Sequence, residues 1–373
     1  MIKLSQPIIS EEEIQAVSDV LRTGMLVQGQ YVADFEQALK KYMGAQNVLA
    51  VSSGTSALHL ALAALEIGEG DAVFVPGFTY PATVNVLEIQ KAKPILIDVD
   101  ASTYNIDPDK LEETIINYSG KETPKAIMVV HEFGAPAEMT RILDIAKRYN
   151  LFVVEDAACA LGTTINGQHV GTFGDIGCFS WHPRKAITTG EGGAVVTQNE
   201  KLNKRISLLR NHGLERLEDG SMDFVLPGFN YRLTEFQAVL GIHQLKKFNK
   251  WIQKRNELVE YYYKFLRECP HIQLPKKIEG HAWQTFMVVL EDIIDRGNVI
   301  HSLKLEGIET NLGAQAIGEL TYYRKKYDFE NLSQHTASNL YKQGLALPLS
   351  PLLDKDDIRF ITTKLMNILK ANE

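Results

Sequence analysis

Cysteine is scarce in this sequence, and neither sign of charge dominates it. The three cysteines are odd in number and have no C-x-x-C spacing, which argues against a disulfide scaffold or a zinc module and favours reduced thiols. Lys and Arg total 39 against 46 Asp and Glu, which gives a net charge of −7. This balance shows no excess of positive charge for binding nucleic acid or an anionic membrane surface. The composition therefore points away from secreted mini-domains, metal-binding modules and nucleic-acid-binding proteins.

Long hydrophobic runs are also missing. No segment approaches the roughly 18 apolar residues that a membrane helix needs, and the first seven residues, MIKLSQP, lack the apolar stretch of a signal peptide. We therefore expect a cytoplasmic protein without membrane partners. The 373 residues, 45% hydrophobic and 23% charged, are ordinary for a globular chain and long enough for roughly two or three domains.

Short apolar runs recur through the first half of the chain, each followed by a polar or glycine-containing turn and a helical pattern. These runs lie at 47–51, 73–76, 94–98, 126–130, 152–155, 177–180 and 194–197. Because they lack the alternation of a sheet with one wet face, we expect helices on both faces of a mostly parallel sheet. Amphipathic helices are predicted at 10–21, where Ser10 and Glu13 can form a capping box, and at 55–65. The sequence thus predicts an α/β fold.

The second part of the chain differs in character. Residues 234–267 are helical in period and increasingly charged, and they are predicted to lead from a large α/β domain into a smaller α+β unit. We place the large domain at 1–245 and the small C-terminal domain at 246–373. No repeat or flexible linker separates the two parts, so they are expected to pack firmly together.

The first candidate site element follows the run at 47–51. Ligands of an open parallel sheet sit beyond the carboxyl ends of its strands, and the segment Ser-Ser-Gly-Thr-Ser at 52–56 occupies such a position directly before a helix. Gly54 permits close approach of the backbone, and the free N–H groups of the first helical turn suit a phosphate. Taken alone, this segment is better explained by a simple helix cap.

Two further strand ends carry ionisable groups. Asp156 follows the run at 152–155, where a carboxylate can serve as a metal ligand, an acid or base, or half of an ion pair. Lys185 lies in a loop, 180–193, that is rich in glycine and hydroxyl groups. At that place its amine could be desolvated and lose its proton near neutral pH, as imine chemistry requires, whereas the alternative is an exposed surface lysine.

Together the motifs resemble the fold type I pyridoxal 5′-phosphate (PLP) enzymes, and more narrowly the DegT/StrS family of nucleotide-sugar aminotransferases. The resemblance rests on Gly29 with Phe35-Glu36, Ser53 to Leu58, Thr79-Tyr80, His131 to Gly134, Glu155 to Ala158, Ser180 to Gly193 and Asn230 to Arg232. It implies a large domain with a mostly parallel seven-stranded sheet and a smaller C-terminal domain. It also implies PLP as the cofactor and no metal.

The resemblance assigns two catalytic residues. Lys185 would form the covalent imine with the cofactor and, once displaced by substrate, move the substrate's proton. Asp156 would pair with the pyridine nitrogen, because an ionised carboxylate keeps that nitrogen protonated and the ring electron-withdrawing.

Further residues would bind the cofactor without reacting. The resemblance implies phosphate contacts from Gly54, Thr55 and Ser180, and stacking of Tyr80 on the ring. Asn230 would reach the phosphate from the partner subunit, which implies a homodimer with shared active sites. Cys159 stands near the ring hydroxyl, where the family usually has Gln or His, and by that position the resemblance makes it a cofactor-binding residue with a different side chain.

The expected activity is a ping-pong transamination. L-glutamate would leave as 2-oxoglutarate, and a 3-keto or 4-keto, 6-deoxy sugar linked to a nucleoside diphosphate would accept the amine, with residues 310–326 near the sugar. A sugar dehydratase of the same fold is an alternative, although it is expected to have His in place of Lys185. A cysteine desulfurase and a regulatory protein that binds PLP without turnover are further alternatives. A dinucleotide-dependent oxidoreductase is not supported, because no G-x-G-x-x-G follows the first predicted strand.

Overall fold

The computed structural model describes residues 1–327 and 335–371. In these residues the α-helices are α1 Glu11–Thr23, α2 Gln30–Met43, α3 Gly54–Ala64, α4 Ala82–Ile89, α5 Pro108–Ile116, α6 Met139–Tyr149, α7 Glu200–Arg210, α8 Glu235–Leu266, α9 Arg296–Leu305, α10 Thr321–Lys326, α11 His335–Gln343 and α12 Lys355–Lys370. The strands are β1 Asn47–Val51, β2 Asp71–Pro76, β3 Phe78–Thr79, β4 Lys93–Ile97, β5 Thr123–Val130, β6 Phe152–Asp156, β7 Thr164–Ile165, β8 Gln168–His169, β9 Ile176–Ser180, β10 Gly193–Thr197, β11 Leu214–Arg216, β12 Met222–Phe224, β13 Ile272–Gln273, β14 Phe286–Leu290, β15 Gln315–Ala316 and β16 Gly344–Leu347.

All seven predicted strands form one seven-stranded sheet, with the order β1-β10-β9-β6-β5-β2-β4. The neighbours from β9 through β4 pair in parallel, whereas β10 is antiparallel to both β1 and β9. Because β10 reverses direction between them, β1 and β9 run the same way. The carboxyl ends of β1, β5, β6 and β9 therefore meet at one edge of the sheet.

Both faces of this sheet are covered, as the continuous apolar runs predicted. Along β2, Val73 and Val75 pack in the hydrophobic cluster that contains α3, whereas Phe74 points to the cluster that contains α6. The predicted helices are present as α1 and α3, and the carboxylate of Glu13 accepts the Ser10 N–H at 2.6 Å at the start of α1. The mostly parallel α/β architecture is thus confirmed.

The C-terminal part has its own hydrophobic core. A three-stranded antiparallel sheet, β13-β14-β16, packs with α9, α12 and the end of α8 in a cluster that extends from Leu258 to Leu369. Helix α8 crosses the predicted boundary at 245/246, since its Phe248 packs in the core of the large part while Leu258 packs in that of the small part.

Two segments cross that boundary in space. Ile2 pairs with Ile308, and its N–H donates to the Gly307 carbonyl at 2.7 Å, so the first residues pack on the C-terminal part. In the other direction, Ala316 in β15 pairs with Phe78 in β3. The division at 245/246 stays a prediction.

Among the described residues, no helix is long and apolar enough to span a membrane.

Candidate active site

A cavity of about 510 Å³ opens at the edge of the sheet where the strands end. The segments that follow β1, β5, β6 and β9 contribute its floor, and the C-terminal part contributes Gln284, Thr285 and the segment 311–315. The predicted site residues Gly54, Thr55, Tyr80, Asp156, Cys159, Ser180 and Lys185 all line this cavity. The fold therefore brings together residues that lie up to 131 positions apart in the chain, from Gly54 to Lys185.

The start of α3 forms a cradle that fits a phosphate. Ser53 caps the helix, and its Oγ accepts the Ser56 N–H at 3.0 Å. The N–H groups of Gly54 and Thr55 belong to the first turn, which has no acceptors within the helix, and the helix dipole favours an anion there. A Cβ atom on Gly54 would lie 2.7 Å from Cβ of Ser180, so only glycine lets this loop approach the end of β9. The simple-cap reading therefore does not explain the whole arrangement.

Asp156 ends β6 and is only 5% exposed. Its Oδ2 accepts the Thr83 hydroxyl at 2.8 Å, and its Oδ1 accepts the Ala158 N–H at 3.1 Å. Burial raises the pKa of the Asp156 carboxyl, while these two hydrogen bonds and the charge of Lys185 oppose the increase. The two bonds also fix the orientation of the carboxyl group.

Lys185 lies 3.0 Å from Cys159, measured from Nζ to Sγ. Desolvation favours the neutral amine, but Cys159 and the carboxylates of Asp156 and Glu132 outweigh it and raise the pKa of Lys185. This corrects the sequence-based expectation that desolvation would bring the amine close to losing its proton. Burial raises the pKa of the Cys159 thiol as well.

Three residues that bear on the cavity were not identified as candidate site residues from the sequence. Thr83 holds Asp156, and a threonine inside a predicted helix carries no signal for that contact. Gln284 donates from Nε2 to the carbonyl of Arg184 at 2.7 Å, while the Arg184 side chain itself is exposed. Glu132, which the motif quoted only as a neighbour of His131, is 4% exposed and lines the cavity.

Other predicted residues lie at the rim or outside the cavity. Tyr80 is 66% exposed at the cavity mouth. Asn230 is exposed and is not part of the lining of its own chain's cavity; its backbone pairs with Asn211. Within the predicted specificity segment 310–326, residues 311–315 line the cavity, whereas Lys326 binds Glu88 elsewhere on the surface.

The donor set fits the cofactor that the resemblance implies. An amine at Lys185 can bond to an aldehyde, and an oriented carboxylate at Asp156 can pair with a pyridine nitrogen. The cradle at Gly54 offers N–H groups to a phosphate, and the Tyr80 ring lies at the mouth. Across residues 1–327 and 335–371, no group of three or more His, Cys, Asp or Glu side chains is arranged to hold a metal ion.

Comparison with known proteins agrees with this site. Residues 7–366 match the model of the DegT/DnrJ/EryC1/StrS aminotransferase family. The spore coat polysaccharide biosynthesis protein SpsC of Bacillus subtilis is 34% identical over 383 residues, which cover 98% of this chain and 97% of SpsC.

Two solved structures share the fold over nearly their whole length. Spr1654 of Streptococcus pneumoniae, solved in its PMP and PLP forms, superposes in the PMP form with a TM-score of 0.92 at 27% identity, covering 100% of each chain. Helicobacter pylori PseC, an aminotransferase of pseudoaminic acid biosynthesis, superposes with a TM-score of 0.92 at 26% identity, covering 99% of each chain.

Proposed function

Because the chain belongs to the DegT/DnrJ/EryC1/StrS aminotransferase family of PLP-dependent sugar aminotransferases, we propose that it transfers the amino group of L-glutamate to a nucleotide-linked keto sugar. One observation carries the proposal. The amine of Lys185, the oriented carboxyl of Asp156 and the N-terminus of α3 line the same cavity, which is the set of groups that PLP chemistry needs.

The residues of this chain have separable tasks in that reaction. When bound, PLP supplies an aldehyde that condenses with amines and a pyridine ring that withdraws electrons. Gly54, Thr55 and Ser180 would hold the phosphate, and the Asp156 carboxylate would keep the ring nitrogen protonated. The amine of Lys185 would hold the cofactor through its aldehyde and, when free, would take a proton from the substrate at Nζ and return it at a different atom.

The acceptor is proposed to be a 3-keto or 4-keto, 6-deoxy sugar on a nucleoside diphosphate. Relatives support this class, since SpsC is named for polysaccharide biosynthesis and PseC for pseudoaminic acid biosynthesis. In this chain the segment 311–315 faces the cavity from the C-terminal part and is the proposed contact of the sugar.

The free thiols Cys159, Cys178 and Cys269 agree with the proposed cytoplasmic location.

We further propose a homodimer with shared active sites. Asn230 is exposed and outside the cavity of its own chain, so it is available to a second subunit. The nearby β11–β12 hairpin also exposes large apolar side chains, Met222 at 56% and Phe224 at 66%. Apolar surface of this kind is typical of protein interfaces.

The test separates the two half-reactions. L-glutamate added to the purified PLP-bound protein is expected to convert the absorbance to that of pyridoxamine phosphate and to release 2-oxoglutarate. The converted protein is then offered nucleotide-linked 3-keto and 4-keto sugars, and one of them should restore the original spectrum and yield an amino sugar. If no amino donor converts the spectrum, cofactor binding without turnover replaces the proposal. If a free keto acid reacts and no sugar does, the proposed acceptor is wrong.

A further inference from the structure

Three acidic groups act on the single amine of the cavity, whereas a fourth acidic residue of the lining, Glu191, is exposed. The three are Asp156, Cys159 and Glu132, which all line the cavity together with Lys185. Asp156 has both carboxylate oxygens engaged, by Thr83 and by Ala158, and Cys159 is in contact with the lysine itself. The side chain of Glu132 is different, because within the described ranges the backbone N–H of Phe133 is its sole neighbouring donor. Among the three acidic groups that act on Lys185, Glu132 is therefore the one whose carboxyl is engaged by no other described side chain.

The position of Glu132 is held firmly by its backbone. Its N–H donates to Oδ1 of Asn105 at 2.8 Å, and Nδ2 of Asn105 in turn donates to the carbonyl of Ala135 at 3.2 Å. The next residue, Phe133, has a φ of +54°, an unusual conformation for a bulky side chain. Glu132 thus sits on a fixed turn at the end of β5, beside the end of β6 that carries Asp156 and Cys159.

The electrostatic surroundings suit proton exchange. Burial raises the pKa of Glu132 to about 8, with Lys185 opposing the increase and Asp156 adding to it. The charged and titratable groups that face Glu132 are Lys185 from the loop after β9, and Asp156 and Cys159 from the end of β6. A carboxyl that still holds its proton at neutral pH exchanges it with an amine more readily than an ordinary carboxyl does, because the two proton affinities are closer.

We propose that Glu132 is a second proton-transfer residue of the active site and exchanges a proton with Nζ of Lys185. In one direction the carboxylic acid of Glu132 gives its proton to the neutral amine, which leaves a carboxylate and an ammonium group; in the other direction the ammonium returns it. One O–H bond breaks as one N–H bond forms, and the net charge of the pair stays zero. This inference rests on the proposed function, in which Lys185 moves the substrate's proton.

The spectrum of the PLP-bound protein without substrate gives a readout that is independent of turnover. The protonation midpoint of the lysine-bound cofactor is measured by absorbance against pH in the wild type, in Glu132→Gln and in Glu138→Gln. Glu138 is an exposed carboxyl six residues away that pairs with Arg141, so its variant makes the same amide substitution without touching the cavity. Above about pH 8, where Glu132 is ionised, its charge favours the protonated form of the cofactor imine, so Glu132→Gln is expected to increase the acid dissociation constant of that form about tenfold or more. No change is expected in Glu138→Gln.

Turnover against pH gives the second readout. The wild type should lose activity as pH rises through about 8, where Glu132 releases its proton. Glu132→Gln should bind PLP, turn over roughly 10²- to 10⁴-fold more slowly, and lack this alkaline decline. If Glu132→Gln does not fold, Glu132→Asp replaces it and should keep the decline at a shifted pH.

The inference is overturned if the variants at position 132 match the wild type in both the absorbance midpoint and the pH profile. Failure of this inference is distinct from failure of the proposed function. If only the inference fails, the wild type still aminates a nucleotide-linked sugar from glutamate, and only the role of Glu132 is lost. If the proposed function fails, the wild type itself does not carry out the half-reactions.

Discussion

The hydroxyl of Thr83 donates a 2.8 Å hydrogen bond to Oδ2 of Asp156. A second threonine, Thr79, lies 3.0 Å from the Thr83 hydroxyl and completes a short buried chain of hydroxyl groups. Burial raises the pKa of Asp156, and the Thr83 bond opposes that increase. The contact joins helix α4 to the end of β6, and it favours the ionised form of a buried carboxyl.

Replacing Thr83 with Val removes this bond at nearly constant volume. The pKa of Asp156 should then rise further, because the bond that lowers it is gone. A hydrogen bond to a charged group contributes about 1.5–3 kcal/mol, so the acid dissociation constant should fall roughly tenfold to a hundredfold. The acid limb of the pH profile of kcat/KM should move to higher pH accordingly. Thr83→Ser, which keeps the hydroxyl, is the control, and an unmoved acid limb in Thr83→Val would contradict this role.

Gly54→Ala tests the phosphate cradle. The new Cβ would lie 2.7 Å from Cβ of Ser180, so the start of α3 must move away from the end of β9. We expect the dissociation constant for PLP, measured by titration of the apoprotein, to rise about tenfold or more, which corresponds to about 1.4 kcal/mol or more. Gly297→Ala in helix α9 is the matched control and should bind PLP like the wild type. Equal affinities for both variants would show that the cradle does not hold the cofactor.

His281 makes stability sensitive to acid. Its Nδ1 accepts the backbone N–H of Trp283 at 2.9 Å, and its ring stacks on the Trp283 ring with the two centroids 3.7 Å apart. Burial lowers the pKa of His281 to about 3. The unfolded chain binds a proton there near pH 6.5, whereas the folded chain does not until about pH 3. The stabilisation is therefore complete above pH 6.5 and is lost as pH falls.

From pH 7.5 to 4.5 this loss amounts to about 2–3 kcal/mol from the one residue. His281→Asn offers an acceptor that does not titrate, so its free energy of unfolding should fall by about that much less over the same interval. Urea unfolding of both proteins at the two pH values measures the difference. Parallel losses in the two proteins would remove His281 as the cause.

A hybrid of two inactive subunits tests the shared site. Lys185→Ala lacks the amine, and Asn230→Ala lacks the proposed contact with the partner's cofactor. In a mixed dimer one site has an intact Lys185 together with the partner subunit's intact Asn230. Co-expression of the two variants should therefore recover part of the wild-type activity, while either variant alone stays low. No recovery in a verified mixed dimer would mean that each subunit supplies its whole site.

The sequence predicted the sheet well because its signal is local. Runs such as 126–130 are apolar on both faces, and the strand ends carry the reactive groups into the cavity, as Asp156 at the end of β6 shows. The reversed direction of β10 has no such local signal, because it depends on its pairing with β1 and β9. Contacts between distant segments were missed for the same reason: Thr83 is 73 residues from Asp156 in the chain.

The electrostatics of the site also depended on tertiary structure. Sequence reasoning considered only desolvation of Lys185, whereas Cys159 and two carboxylates from other strand ends decide the direction of its pKa. The packing of Ile2 on the C-terminal part was equally hidden, since nothing in the first residues indicates a partner three hundred positions away.

Reduction of the PLP-bound protein with borohydride, followed by peptide mass spectrometry, tests the central claim most directly. Borohydride fixes the cofactor to whichever amine carries it. The account predicts one modified peptide, with the reduced cofactor on Lys185, and none from the protein in which Lys185 is replaced by Ala. Modification of a different lysine, or no modification of a protein that is fully loaded with PLP, would contradict it.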